Sequence, residues 1–193
     1  MNKLGFIVGN GTSRLAYDLE QLRGHGTIVG CNWLYRDFEP DVIVALDKDP
    51  VAVIEAIEDR KFKFLTRNRK YNIMLLDGQD MGWKYEDVNR RRSFDSGIVG
   101  ASYLAKIEKC KHVIMFGIDF YRGNPHDRKA PNDVYSGRIR RGTRQEAWNI
   151  LFRDCPNTQF TRIGKIEEWD FDFYSNKIQG LKYKEAFNAS DFI

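Results

Sequence analysis

A short apolar run that stops at a glycine turn constrains the fold of this chain more than any other feature. Phe6-Ile7-Val8 leads into Gly9-Asn10-Gly11, and Thr12, Ser13 and a helical pattern follow. A strand, a tight turn and a helix start form the unit with which α/β domains present backbone N–H groups to a phosphate. The two glycines permit a tight turn and a close approach to a ligand, and Thr12 or Ser13 can cap the helix. An ordinary first βα turn has the same residues, so the turn alone leaves both interpretations open.

Strand and helix patterns alternate along the rest of the chain. The periodicity predicts strands over 3–8, 27–30, 41–46, 62–65, 73–76, 112–116 and 158–161 and helices over 12–23, 49–59, 93–109 and from 143 onward. Continuous apolar runs such as 41–46 and 112–116 are typical of strands buried on both faces. We therefore predict an α/β, Rossmann-like fold with a mostly parallel sheet and helices on both faces.

Two of the predicted helices carry more detailed expectations, one for an apolar face and one for a capped start. Leu15, Leu19 and Leu22 have the spacing of one apolar helix face within 12–23. Thr143 and Glu146 match a capping box, which places the start of the last helix at Thr143.

The domain organisation follows from where these patterns end. Residues 1–163 are predicted to form one Rossmann-like nucleotide-binding domain. The polar stretch 122–142 is long for a connection inside a compact domain, which is typical of a lid or binding loop. Residues 164–193 are aromatic and charged without periodicity, and we expect them to pack on the domain as a C-terminal extension.

Composition bears on the compartment and on the partners. No apolar run reaches the length of a membrane span, and Met1-Asn2-Lys3 leads directly into a strand, so we expect neither a membrane span nor a secretion signal. The three cysteines are far apart and lack metal-site spacing, which indicates reduced thiols in a cytoplasmic protein. The net charge of +4 permits an acidic ligand without indicating nucleic acid. The sequence also leaves open whether the protein forms a homo-oligomer.

Polar residues follow several of the predicted strands. Ligands of open parallel sheets bind beyond the carboxyl ends of the strands. That rule places one rim of polar residues at Asn10, Asn32, Asp47, 93–97 and 119–121. Asn10 and Asn32 suit a sugar or phosphate, because an amide both donates and accepts hydrogen bonds, but both also suit turns. Asp119 suits a structural role better, because a carboxylate repels phosphate.

Four segments of this rim together resemble a known family. GNGTS (9–13), CNWLY (31–35), FDSGIVGASYLA (94–105) and FGIDFY (116–121) resemble, in this order, motifs of the bacterial CMP-sialic-acid-dependent sialyltransferases. They equally resemble a broad set of Rossmann-like proteins of unknown function, many of which are carried by phages. The resemblance extends over residues 5 to 160.

The resemblance implies a site for a nucleotide sugar. The two asparagines would contact the nucleotide and its phosphate, the Ser-Gly pair the cytidine side, and the Gly-Ile-Asp-Phe segment the base. The implied nucleotide-binding residues are Gly9, Asn10, Gly11, Thr12, Asn32, Ser96, Gly97, Gly117, Ile118 and Phe120. A helix N-terminus such as the one predicted near Ser96 favours an anion.

The resemblance also implies catalytic residues. Tyr121 would donate a hydrogen bond to the departing phosphate, and Tyr135 matches a second tyrosine of the family's lid. The family's general base is a histidine before the late helix, where this chain has Ser136-Gly137-Arg138. Arginine stays protonated near neutral pH, so His126 of the same loop, another group or water would deprotonate the acceptor.

Two arginine-rich runs flank the predicted site. They consist of Arg90, Arg91 and Arg92, and of Arg138, Arg140, Arg141 and Arg144. Charge runs are usually solvated surface, but these also suit a phosphate or acceptor clamp, with Arg138 and Arg141 as its residues, or a nucleic-acid groove.

Three functions are compatible with these features. The leading one is a glycosyltransferase-like enzyme that uses a nucleotide sugar, with a CMP-sugar donor, an unknown acceptor and no metal. A pterin or nucleotide pyrophosphokinase-like enzyme would need ATP and Mg²⁺, for which Asp47 and Asp49 are the candidate ligands. The third is a non-catalytic protein that binds a nucleotide or nucleic acid.

Overall fold

The computed structural model describes residues 3–84, 95–118, 141–164, 181–184 and 187–188, with the backbone alone at 141–146 and 181–183. Within these ranges the strands in chain order are β1 (Leu4–Val8), β2 (Gly26–Cys31), β3 (Val42–Val44), β4 (Lys63–Asn68), β5 (Ile73–Leu76), β6 (Gln79–Lys84), β7 (His112–Phe116), β8 (Gln159–Ile163) and β9 (Leu181–Lys184).

All of these strands belong to one sheet with the order β6-β5-β4-β3-β2-β1-β7-β8-β9. Six of the eight neighbouring pairs are parallel, and the pairs β4–β5 and β5–β6 are antiparallel. The predicted fold class, a Rossmann-like α/β domain with a mostly parallel sheet, is confirmed.

Helices lie on both faces of the sheet. They are α1 (Lys48–Glu55), α2 (Ser96–Ser102) and α3 (Arg141–Asp154), and α2 continues as a π-helical turn over Tyr103–Ile107. Short 3-10 segments lie at Thr12–Ala16, Leu19–Leu22 and Leu34–Arg36.

The core has two layers that share β1. Side chains alternate along a strand, so Ile7 packs in the cluster with residues of α2 and α3, and Phe6 packs in the opposite cluster with residues of α1 and the 3-10 segments. All five residues of β1 are buried. This burial explains why its apolar run is uninterrupted, as in other strands that are covered on both faces.

The predicted single helix over 12–23 is wrong. Two 3-10 segments replace it, because the backbone is extended at Tyr17 and Asp18 between them. Asp18 then caps the second segment by accepting a hydrogen bond from Glu20 N at 3.0 Å. Leu15 is 60% exposed, so it does not share an apolar face with the buried Leu19 and Leu22.

The first 3-10 segment also differs from the prediction at its cap. Gly11 occupies the N-cap position, and no side chain makes a capping hydrogen bond there. The capping roles predicted for Thr12 and Ser13 are therefore wrong.

The predicted start of the last helix is wrong as well. Helix α3 begins at Arg141, so Thr143 lies inside it and is not its N-cap. The last two residues of the predicted loop 122–142 are helical, and residues 122–140 lie outside the described ranges.

Two strands, β6 and β9, were not predicted. β5 and β6 are joined by Asp77-Gly78, and both of these residues have positive φ, at 49° and 80°. Asp-Gly between two strands is a strong hairpin signal that the sequence offered. β9 comes from the C-terminal extension and pairs parallel with β8, while Phe187 packs edge-on against Phe116 with ring centroids 5.5 Å apart.

Among the helices of the described ranges, none is both long and apolar enough to cross a membrane.

A charged cluster at the amino end of the sheet gives a pH-dependent prediction. Lys3 Nζ donates to Glu108 Oε2 at 2.5 Å and the Tyr103 hydroxyl donates to Glu108 Oε1 at 2.8 Å. The hydrogen bond from Lys3, with a further one from Tyr103, lowers the pKa of Glu108. When folding lowers the pKa of a carboxyl group, the ionised carboxylate stabilises the fold at pH values above the pKa of the unfolded state. This contribution is lost as the pH falls through the pKa of the folded state.

We expect Glu108→Gln to lower the free energy of unfolding at pH 7 by about 1 kcal/mol, because it removes a charge-assisted hydrogen bond that is partly solvent-screened. Urea unfolding at a series of pH values measures the difference from the wild type. The difference should shrink as the pH falls from 6 to 3. A difference that stays constant over this range would contradict the prediction.

Candidate functional site

The candidate site lies where the order of the strands reverses. From β1 the chain proceeds outward to β2 on one side and later returns to β7 on the other. Val8, the last residue of β1, pairs with Gly30 of β2 and with Phe116 of β7. The segments after these strands therefore meet at one edge, which is the position where open α/β sheets bind ligands.

The glycines of the first turn contact the segment after β7. Gly9 N donates to Phe116 O and Gly11 N donates to Gly117 O, both at 2.8 Å. A Cβ on Gly9 would lie 2.3 Å from Gly117 O, and a Cβ on Gly117 would lie 2.7 Å from Gly9 O. These glycines are thus required by a close backbone contact between two loops. Their roles in nucleotide binding stay predictions.

Asn10 spans from the end of β1 to the end of β2. Its Nδ2 donates to Cys31 O at 2.8 Å, which fixes the orientation of the amide because only the nitrogen can donate to a carbonyl. Its Oδ1 is buried and accepts no hydrogen bond from the described residues. A buried acceptor without a donor costs about 1–3 kcal/mol, so this oxygen favours a bound donor.

Asn32 follows Cys31 directly and has a left-handed backbone, with φ at 49°. Its backbone N donates to Val44 O at 2.8 Å, and its Oδ1 accepts a hydrogen bond from Ser96 Oγ at 3.1 Å. Asparagine tolerates this conformation better than most residues do. Since Oδ1 is occupied, the amide nitrogen is the group left to donate, and it has no partner among the described residues.

The start of α2 completes the described part of the site. Ser96 and Gly97 are buried, and Asp95 Oδ1 caps the helix by accepting from Gly97 N at 2.9 Å. A Cβ on Gly97 would lie 3.1 Å from Ile118 Cδ1, so the buried Ile118 packs against the helix start. The structure therefore brings together the ends of β1, β2 and β7 and the start of α2.

The sequence analysis included Asp95 only as part of the rim segment 93–97 and gave it no role of its own. Burial raises the pKa of the Cys31 thiol well above its usual value, and the negative charge of Asp95 adds to this rise. The charge of Asp95 therefore acts on Cys31, at the end of β2. The signal for Asp95 was present, because Asp-Ser-Gly before a helical pattern is typical of an N-cap.

An aromatic and cationic group next to Asn32 was also missed. Trp33 is half-buried, and the Arg36 guanidinium carbon lies 4.1 Å from the centre of its ring. Tyr35 continues the group toward Phe62, with ring centroids 5.6 Å apart.

An ion pair between a buried arginine and an exposed aspartate holds the first turn in place. Arg14 is 3% exposed and Nη2 donates to Asp37 Oδ2, which joins the segment after β1 to the segment after β2. The Cβ of Arg14 also lies against Gly117, at 3.0 Å from the position of an added Cβ.

Some of the other predicted site residues lie in the described ranges and others lie outside them. Thr12 begins the first 3-10 segment and is partly buried. Arg141 begins α3, and its side chain is outside the description. Phe120, Tyr121, His126, Tyr135 and Arg138 lie outside the described ranges. Their roles stay predictions.

The histidine, cysteine and acidic side chains of the described ranges bear on metal and thiol chemistry. There, no group of three or more His, Cys, Asp or Glu side chains is arranged to hold a metal ion. Asp47 and Asp49 are exposed around the start of α1. All three cysteines are buried, and burial raises the pKa of Cys110 to about 11, so this thiol is neutral and a poor nucleophile at pH 7.

Comparisons with known proteins do not name a family. No protein-family model matches the chain, and no curated protein or solved structure matches it either.

Proposed function

We propose that this protein is a glycosyltransferase-like enzyme that uses a nucleotide-activated sugar, with CMP as the nucleotide. The observation that carries the proposal is the linked pair Asn10 and Asn32 at the reversal of strand order. One of these amides has a buried acceptor without a donor, and the other has a donor without an acceptor.

The position and the chemistry of these groups support a nucleotide. Ligands of doubly wound sheets bind at the reversal of strand order, beyond the carboxyl ends of the strands. Ribose, base and phosphate together need both donors and acceptors, and the two amides supply both. The resemblance of GNGTS, CNWLY, FDSGIVGASYLA and FGIDFY to sialyltransferase motifs supports CMP in particular.

The catalytic part of the proposal depends on the resemblance. Tyr121 and Tyr135 would stabilise the departing phosphate through neutral hydroxyl donors. Arg138 and Arg141 would clamp the phosphate or the acceptor, and His126 or water would take the proton of the acceptor hydroxyl.

Thermal unfolding in the presence of CMP, UMP, AMP, GMP, CMP-sugars, or ATP with Mg²⁺ tests the nucleotide. At a hundred times Kd, a ligand stabilises the folded state by about 2.7 kcal/mol, which corresponds to a rise in Tm of about 5–10 °C for a domain of this size. We expect this rise with cytidine nucleotides. No rise with any nucleotide or nucleotide sugar would overturn the proposal, and a rise with ATP and Mg²⁺ alone would favour a pyrophosphokinase.

Donor hydrolysis tests the enzyme. Transferases of this kind release CMP slowly from the donor to water when no acceptor is present, and we expect this release to fall strongly in Tyr121→Phe. Tight CMP binding with no release of CMP from any CMP-sugar would favour a non-catalytic nucleotide-binding protein.

A further inference from the structure

The hydrogen-bonding groups left open at the site define which part of a nucleotide fits there. Asn10 Oδ1 is an acceptor, and it is buried without a donor among the described residues. Asn32 Nδ2 is a donor, because Ser96 occupies the other atom of that amide. Asp95 uses Oδ1 for the Gly97 amide, which leaves its Oδ2 as a second open acceptor in the described part of the site.

Several donors that a phosphate would use are already engaged. The amides of Gly9 and Gly11 donate to the segment after β7, and the amide of Gly97 donates to Asp95. Asp95 also brings a negative charge, which repels a phosphate. The open groups are thus one amide acceptor, one carboxylate acceptor and one amide donor.

Hydroxyl groups match this pattern and phosphate oxygens do not. A phosphate at neutral pH mainly accepts hydrogen bonds, whereas each hydroxyl both donates and accepts. Vicinal hydroxyls can donate to Asn10 Oδ1 and to the Asp95 carboxylate and can accept from Asn32 Nδ2. Hydrogen bonds to a carboxylate are stronger than those between neutral groups.

We infer that Asn10, Asn32 and Asp95 bind the vicinal hydroxyls of the nucleotide's ribose, so that the phosphate lies outside this group of residues. The inference rests on the proposed function, because it names the part of the nucleotide that this site recognises. It also gives Asp95 a binding role in addition to its role as a helix cap.

Calorimetric titration with CMP and with 2′-deoxy-CMP tests the inference. We assign the 2′-hydroxyl to the Asp95 carboxylate. Loss of a hydrogen bond to a charged group weakens binding at least about tenfold, so we expect the wild type to bind CMP at least about tenfold more tightly than 2′-deoxy-CMP. In Asp95→Asn the helix cap is retained, since asparagine caps as well as aspartate does, but the charge is lost. The ratio of the two affinities should then fall to about threefold.

Asp18→Asn is the matched control. Asp18 caps the 3-10 segment Leu19–Leu22 in the same way, by accepting from Glu20 N at 3.0 Å, and it lies outside the site. We expect this variant to keep the affinity ratio of the wild type. Circular dichroism of both variants establishes that they are folded.

The outcomes separate this inference from the proposed function. Equal affinity of the wild type for CMP and 2′-deoxy-CMP would overturn the ribose assignment and leave the proposed nucleotide site standing. Absence of binding to any nucleotide would overturn both. If Asp95→Asn does not fold, the ratio measured on the wild type still decides the inference.

Discussion

Gly117→Ala is expected to lower the free energy of unfolding by about 3 kcal/mol or more. Two costs combine at this position. Gly117 has φ at 58°, and a left-handed backbone costs about 1–2 kcal/mol for residues with a Cβ. The added Cβ would also lie 2.7 Å from Gly9 O, and backbone cannot move aside as a flexible side chain does.

Two other glycines separate these costs. Gly24 has φ at 79° with nothing within 4 Å of an added Cβ, so Gly24→Ala should cost about 1 kcal/mol from the backbone alone. Gly9→Ala isolates the steric cost, because its Cβ would lie 2.3 Å from Gly117 O, and it should cost about 2–3 kcal/mol. Urea unfolding followed by tryptophan fluorescence measures all three variants.

The double variant supplies an internal check. Gly9 and Gly117 contact each other, so their costs should not add, and the double variant should be more stable than the sum of the two costs predicts. If Gly117→Ala and Gly9→Ala each cost no more than Gly24→Ala, the close contact between the two loops is not present in the folded protein.

Asp37→Asn is expected to cause the second largest loss, about 2–3 kcal/mol. The change removes the carboxylate charge next to Arg14, whose side chain is 3% exposed. Removing one partner of a buried ion pair is strongly destabilising, by about 3–5 kcal/mol, and the expected loss is smaller here because Asp37 is itself 38% exposed. Burial also limits screening, so the loss should change little when salt is added.

Glu20→Gln is the matched control for this pair. Glu20 accepts from Arg23 Nε at 2.5 Å, and both side chains are more than 40% exposed, at 62% and 44%. Exposed pairs are screened by water and salt and contribute little, so we expect a much smaller loss here than in Asp37→Asn. Equal losses from Asp37→Asn and Glu20→Gln in urea unfolding would show that the Arg14–Asp37 pair does not hold the first turn.

The sheet was predictable wherever the sequence has a continuous apolar run. β1, β5 and β7 lie where the patterns placed them, and β2 differs only at its ends. Strands whose pattern is polar were missed. β6 has the sequence Gln79–Lys84 and exposes most of its side chains, so its apolar residues give little periodicity.

The segment 12–23 shows where helical periodicity failed. Leucines at spacings of four and three suit one helix face, but helix formation also needs an unbroken backbone. Tyr17 packs its ring against Phe116 at 5.4 Å between centroids, and the backbone is extended there. A tertiary contact of this kind cannot be read from local sequence, since Phe116 is far along the chain.

For the site, the sequence indicated which residues lie there but did not indicate which groups they contact. Asn10, Asn32 and Ser96 were chosen because they follow strands or begin a helix, and the structure joins them through Cys31 O and the Ser96 hydroxyl. The glycines were interpreted as room for a ligand, whereas they accommodate each other's backbone. This difference depends on which strand neighbours β1, and no local pattern contains that information.

Titration of CMP into Asn32→Ala and Asn72→Ala tests the central claim, a nucleotide site at the reversal of strand order, most directly. Both asparagines have a positive φ, at 49° and 56°, so both substitutions impose a similar backbone cost, but Asn72 lies in the β4–β5 turn, and β4 is two strands from β2 in the sheet. We predict that Asn32→Ala weakens CMP binding at least about tenfold, since one hydrogen bond to the ligand and the support of Ser96 are lost together. Asn72→Ala should bind CMP as the wild type does. Wild-type affinity in Asn32→Ala, or a wild type that binds no nucleotide, would contradict the claim.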